Sequence, residues 1–209
     1  NFFYHTSDKS RLRKIIDHYE IYKKIKDVNG DIYEFGVFKG VSLIRFLTFR
    51  DIFNSNKHVY GFDAFGKFPT PQTNSVHKKR DTNFARFHDQ SIGFGFEEKK
   101  INQILKKKKF KKFTLIKGDV QKTIISFLKK KRKKIKISLL HLDLDIFFPT
   151  KFVLEHFYEF ISKKGIILID DYSHIQGATM AIDEFLKDKP FLKLEKLSSK
   201  SRPSFIIKK

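Results

Sequence analysis

Two apolar runs in this chain each end on carboxylates: Ile137-Ser-Leu-Leu-His-Leu-Asp-Leu-Asp145 and Gly165-Ile-Ile-Leu-Ile-Asp-Asp171. A short apolar run bounded by turn signals reads as a strand covered on both faces, the pattern of parallel sheets. Such a sheet needs helices on both sides, which confines the chain to the α/β class. Asp143, Asp145, Asp170 and Asp171 are then expected at the carboxyl ends of strands, the edge where open α/β sheets bind ligands. Gathered in a cleft, four carboxylates repel one another unless a cation neutralises them. All-oxygen ligation of this kind suits Mg²⁺, Mn²⁺ or Ca²⁺ rather than zinc.

The rest of the chain alternates accordingly. Leu12, Ile15, Ile16, Tyr19 and Tyr22 recur three and four apart, so residues 7–25 read as an amphipathic helix that Asn29-Gly30 stops, and residues 1–28 as an N-terminal helical segment. A strand over 31–37, a turn at Gly40, a helix over 41–53 and a strand over 59–63 follow, which points to parallel strands with right-handed crossovers. Helix resumes near Phe96. Beyond it come a strand over 113–116, a basic helix from about Gln121, the strand carrying Asp143, a helix over 150–162, the strand ending at Asp170, a helix over 178–186 and a last strand over 204–207. Residues 66–95 are rich in glycine, proline and polar residues without a sustained period, and read as a long lid or substrate loop.

With 209 residues and 25 Phe the chain has enough apolar material for one full core, so a single domain is expected. The net charge of +21 taken alone points to nucleic acid or an anionic membrane surface. The excess is mostly lysine in runs such as 106–109 and 129–134, however, and together with abundant Phe, Ile and Asn this resembles the residue bias of an AT-rich genome. A solvated surface is therefore the first reading, and nucleic acid is not expected. Cysteine is absent, which excludes disulfides, a thiolate nucleophile and cysteine metal sites. No stretch approaches the ~20 apolar residues of a membrane span and no signal peptide is visible, so the expected location is cytoplasmic. Asn1 is not an initiator methionine, which leaves room for residues upstream.

Glu34-Phe-Gly-Val-Phe-Lys-Gly40 lies between a strand and a helix, where glycines allow close backbone approach to a ligand. It departs from the dinucleotide fingerprint: the Gly-x-Gly pair is missing, and Glu34 would repel a pyrophosphate. A ligand with a positive charge and an amino group fits better, and S-adenosylmethionine is one. Asp63, ending the second strand, is placed to accept ribose hydroxyls. In Lys117-Gly-Asp119 the carboxylate is placed to accept from an adenine amino group, with a plain turn as the alternative. His141, Asp143 and Asp145 alternate and would share one face of a strand. His174 is a further pocket candidate, whereas His5, His18, His58, His77, His88 and His156 have no partner identifiable from spacing.

The set formed by residues 30–40, Val59-Tyr-Gly-Phe-Asp-Ala-Phe65, His141-Leu-Asp-Leu-Asp145 with Thr150, and Asp170-Asp-Tyr172 with Gly177, Ala181 and Glu184-Phe185 resembles the macrocin O-methyltransferase family. The resemblance spans residues 8–209. It implies a Rossmann-like class I methyltransferase fold, with a mostly parallel seven-stranded sheet and helices on both faces. It also implies an S-adenosylmethionine-dependent, metal-dependent enzyme acting on sugar hydroxyls. Glu34, Gly36, Gly40, Ser42 and Asp63, with Asp119, would then serve the cofactor. Asp143, Asp170 and Asp171 would hold Mg²⁺ or Mn²⁺, and Asp145 would be the general base, with His141 as the alternative base. The chain departs from the family at Phe147, where a tyrosine is usual, and at Ala64, where a serine is usual. The expected partner is a sugar or glycoside, and a homo-oligomer stays open. Two rival readings are methylation of a catechol-like phenol and a basic RNA methyltransferase.

Overall fold

The structure, a computed structural model, describes residues 2–69 and 77–209. Its seven strands are β1 (Asp31–Phe35), β2 (Val59–Asp63), β3 (Phe113–Lys117), β4 (Ile137–Leu142), β5 (Ile161–Ile169), β6 (Leu194–Glu195) and β7 (Ser204–Ile207). They form one sheet in the order β3-β2-β1-β4-β5-β7-β6. β1 to β5 are parallel, while β7 runs antiparallel to β5 and to β6. The chain moves outward from β1 to β3 and returns to β4 on the other side of β1. That reversal opens a crevice at the carboxyl ends of β1 and β4, where doubly wound sheets bind ligands.

The helices are α1 (Phe2–Thr6), α2 (Lys9–Ile25), α3 (Val41–Ile52), α4 (Lys78–Ser91), α5 (Glu98–Lys107), α6 (Val120–Lys131), α7 (Phe147–Phe157) and α8 (Gln176–Lys187). Side chains alternate across each strand, so each supplies two cores. Ile32, Leu139 and Leu168 pack under Tyr22, Phe46 and Ile101 from α2, α3 and α5. Tyr33, Leu140 and Ile167 pack under Ile124, Phe157 and Ile182 on the opposite face. Each such side chain, fully buried, contributes about 1.5–3 kcal/mol. No helix among the described residues is long and apolar enough to cross a membrane.

Three expectations need correction. The loop expected over 66–95 contains the helix α4, and its residues 70–76 lie outside the described residues. α4 buries only Asp81 and Ala85, so its pattern carries almost no apolar stripe to read. The helix expected from Thr150 begins at Phe147, because Pro149 sits in the first turn, where its missing N–H costs nothing. It ends earlier as well, since β5 starts at Ile161.

Candidate active site

The site is built where β1 hands over to α3. Gly36 has φ +93°, and a Cβ there would lie 1.8 Å from the carbonyl oxygen of Asp143. Only glycine lets β1 and the end of β4 approach this closely. The Asp143 N–H donates to Phe35 O at 2.9 Å, which fixes the approach. Asp63, leaving β2, accepts from the N–H groups of Val37 and Phe38 at 2.7 and 2.9 Å and from that of Phe65 at 2.6 Å. Its carboxylate thus shapes the turn: Oδ2 accepts twice, while Oδ1 accepts once and keeps a lone pair for a ligand. Asp119 caps α6 by accepting from Gln121 N–H at 2.9 Å. Gly36, Asp63, Asp119, Asp143 and Asp145 all line one cleft, with an empty volume of about 910 Å³.

Glu34, Gly40 and Ser42 sit behind this cleft. Period-two alternation turns Glu34 away from it and toward α3, where Ser42 Oγ donates to its carboxylate and His141 Nδ1 lies 3.5 Å away. Gly40, φ +78°, starts α3 against Ile101.

Beside the cleft, carboxylate oxygens of Asp143, Asp170 and Asp171 lie within 4.8 Å of one another. Burial pushes Asp143 well above the usual carboxylate range, and Asp170 and Asp171 push it further. Burial and Asp143 raise Asp145 to about 7, and burial and Asp145 raise Asp171 to about 7. Asp170 goes the other way. Its burial is outweighed by His141, His18 and the Lys14 ammonium, which hold it well below the ordinary value. Lys14, reaching down from α2, rests on one Asp170 oxygen. The other oxygen is buried without a hydrogen bond, 3.8 and 3.9 Å from the nearest nitrogens of His18 and His141. An oxygen-only donor set with an orphaned carboxylate oxygen and a lysine already drawn onto it fits a hard divalent cation.

Asp145 departs from the strand on which alternation would have placed it. β4 ends at Leu142, and Asp145 takes φ +63°, an uncommon conformation for a residue other than glycine and one that clusters at functional sites. Its carbonyl accepts from Ala178 N–H at 3.0 Å, tying it to α8. The residue borders two clefts, the large one and a smaller one lined by Arg80, Phe84, Phe87 and Gln176. α4 forms one wall of the smaller cleft. It is docked there by Asp81, whose Oδ2 accepts from Phe147 N–H at 3.1 Å and caps a helix that has no side-chain cap of its own.

His141 is fully buried between Glu34 and Asp170, whose charges outweigh burial and raise it to about 10. His174 is exposed and outside the cleft. Sequence reasoning passed over His18, which is fully buried beside Asp170, and His88, which lines the large cleft. It also missed Lys14, Asp81 and Arg202, whose Nη2 lies 3.1 Å from Asp171 Oδ1. No local signal marks Lys14 or His18, which lie off the apolar stripe read along α2 from Leu12 to Tyr22.

The sequence model described as Macrocin-O-methyltransferase (TylF) matches residues 4–195. The chain belongs to that family. It is accordingly an S-adenosylmethionine-dependent O-methyltransferase. Among solved structures, this methyltransferase is similar to CalS11, a calicheamicin methyltransferase, at 21% identity and TM-score 0.71 over 96% of this chain and 80% of that one. It is similar to the O-methyltransferase NovP at 19% identity and TM-score 0.73, over 95% and 79%. A Bacillus cereus O-methyltransferase in complex with SAH matches at 13% identity and TM-score 0.54, over 97% and 82%. At these identities the solved structures show the shared class I methyltransferase fold. No curated protein sequence matches.

Proposed function

We propose that this enzyme methylates a hydroxyl of a sugar or glycosylated small molecule, with Mg²⁺ or Mn²⁺ held by Asp143, Asp170 and Asp171. The observation that carries the reading is the backbone contact of Gly36 with Asp143, which sets the glycine turn of the donor cleft against the three-aspartate cluster. The sugar acceptor is supported by the family and by CalS11, which is described as a TDP-rhamnose 3'-O-methyltransferase. Held by these three aspartates, a divalent cation would supply Lewis-acid chemistry that lowers the pKa of an acceptor hydroxyl.

The chain's own residues do the rest. Gly36 admits the donor close to the backbone, the free lone pair on Asp63 Oδ1 accepts a ribose hydroxyl, and Asp119 accepts from the adenine amino group. Glu34, Gly40 and Ser42 support the turn from behind. Asp145 takes the proton of the acceptor hydroxyl: with a pKa near 7 it is far better matched to the task than a carboxylate at its ordinary value. His141, enclosed between Glu34 and Asp170, orients Asp170 and does not reach the acceptor. The acceptor enters along the cleft of Arg80, Phe84 and Phe87, opposite the donor.

The test is incubation of the purified protein with S-adenosylmethionine and a panel of nucleotide sugars and glycosides, with Mg²⁺ or with EDTA, read by mass spectrometry. Methylation of a sugar hydroxyl that EDTA abolishes is the expected result. Methylation undiminished by EDTA overturns the metal, and methylation of catechols alone overturns the acceptor.

A further inference from the structure

The charge of this protein is gathered at one pole. Segments 106–112, 129–136, 163–164 and 208–209 hold 17 of the 44 Lys and Arg residues and no Asp or Glu. They therefore carry +17 of the +21 net charge, and the remaining chain is close to balanced, with 27 cationic residues against 23 acidic ones. A residue bias toward lysine would scatter the excess over the whole surface. The topology instead collects it, because the first two segments run into the amino ends of the parallel strands β3 and β4, and the third opens β5. Backbone hydrogen bonds stitch the segments to that edge: Val59 N–H to Lys112 O at 3.0 Å, Asp31 N–H to Lys136 O at 2.9 Å, and Lys164 N–H to Lys208 O at 2.7 Å. The catalytic cleft opens at the other edge, beyond Asp63, Asp143 and Asp170.

Sixteen of these side chains are exposed. Among the described residues only Arg132 pairs with a carboxylate, Glu159 at 2.8 Å. From β3 to β7 the edge is six strands wide, roughly 24 Å at the usual strand spacing. The cations are thus spread over a broad face and not drawn into one groove. Of the 17, only Arg132 is an arginine, so the face lacks the planar forks that grip individual phosphates. No aromatic side chain in the four segments is among the exposed large hydrophobics, so there is no platform for stacking bases.

We propose that this amino-edge face docks the enzyme electrostatically on an anionic membrane surface, leaving the cleft open on the far side. Clustered lysines are attracted to acidic headgroups additively, each strengthening binding about fivefold when near the surface, and the attraction fades within about 8 Å at physiological salt. No apolar insertion is required.

The test is co-sedimentation of the purified protein with phosphatidylcholine vesicles, with and without phosphatidylglycerol, across a salt series. Binding only to the anionic vesicles, weakening steeply with salt, is expected. Neutralising Lys129, Lys130, Lys133 and Lys134 to Gln should lower the partition coefficient at least about tenfold. Neutralising the exposed Lys187, Lys193, Lys196 and Lys200 to Gln should change it less than about threefold, with circular dichroism confirming the fold of both variants. Equal binding to neutral vesicles, or equal losses in the two variants, overturns the proposal. So does retention by a single-stranded RNA oligonucleotide at salt that releases the vesicles, which would make the polyanion a nucleic acid.

Discussion

The Lys14 ammonium of α2 rests on the carboxylate of Asp170, inside a cluster that also contains Asp143 and Asp171. Burial disfavours that ammonium, but the charges of Asp170 and Asp143 outweigh it and raise its pKa. Lys14 therefore acts as the counter-ion of the aspartate cluster, and would compete for the same oxygens with the divalent cation proposed above. Replacing it with Met should tighten Mn²⁺ binding about tenfold by calorimetric titration, one charge at contact distance being worth ~1–4 kcal/mol. The same change should lower the stability of the metal-free protein by about 1–3 kcal/mol, since it takes from the buried Asp170 carboxylate the hydrogen bond that Lys14 donates. Unchanged or weaker Mn²⁺ binding would mean that the ammonium does not compete.

Asp143→Asn removes one of the three carboxylates proposed to hold the cation, with almost no change in volume. Methyl transfer should fall at least about a hundredfold while S-adenosylhomocysteine binds within about threefold of the wild type. If donor affinity fell in parallel with activity, Asp143 would belong to the donor cleft and not to the metal.

The pH profile follows from Asp145. With its pKa raised to about 7, it is protonated and unable to accept a proton below that value, so kcat/KM should fall about tenfold per pH unit on the acid side. A bound cation moves this limb lower, and Asp145→Asn should remove it along with most of the activity. Stability shows the same sign. Carboxyls whose folded pKa is raised, Asp145 and Asp171, stabilise the metal-free fold below their unfolded values near 3.8, and this contribution is lost as pH rises through about 7. Added Mg²⁺ should therefore raise Tm more at pH 8 than at pH 5, and equal increases in scanning calorimetry at the two pH values would show the carboxyls to be unperturbed.

Much of this was legible in the sequence, for a reason specific to parallel sheets. Strands buried on both faces read as continuous apolar runs, so polar residues that close them, such as Asp143 and Asp170, stand out without any three-dimensional information. The seven strands in one mostly parallel sheet agree with the family resemblance. Pairings across the fold were not legible. Lys14 and His18 meet Asp170 over more than 150 residues of chain, and nothing local marks them. α4 escaped because a polar helix is held by polar contacts of Arg80, Asp81 and Asp89 with distant residues and not by an apolar stripe. Glu34 was read as facing the donor, yet it turns to α3 because the turn begins only at Gly36.

Gly36→Ala tests that turn. A methyl group cannot be accommodated 1.8 Å from a backbone oxygen, and φ +93° is strained for alanine in any case. The substitution should cost at least about 3 kcal/mol in urea unfolding or prevent soluble expression. A cost under about 1 kcal/mol would show that the contact relaxes freely.

Asp81→Ala should uncap α7 and cost about 1–2 kcal/mol, as loss of a helix cap does. Amide exchange should quicken across α4 before it quickens in the sheet, and uniform protection would mean that α4 is anchored elsewhere.

The contact between Gly36 and Asp143 has a consequence for how such an enzyme diversifies. Because the Gly36 turn and Asp143 meet backbone to backbone, their separation is written into the sheet register, in which Phe35 lies opposite Leu142. No side-chain replacement elsewhere can retune it. Evolutionary change in what is methylated is thereby channelled into α4 and the wall it provides, which can drift, lengthen or be exchanged while the reaction centre is inherited intact.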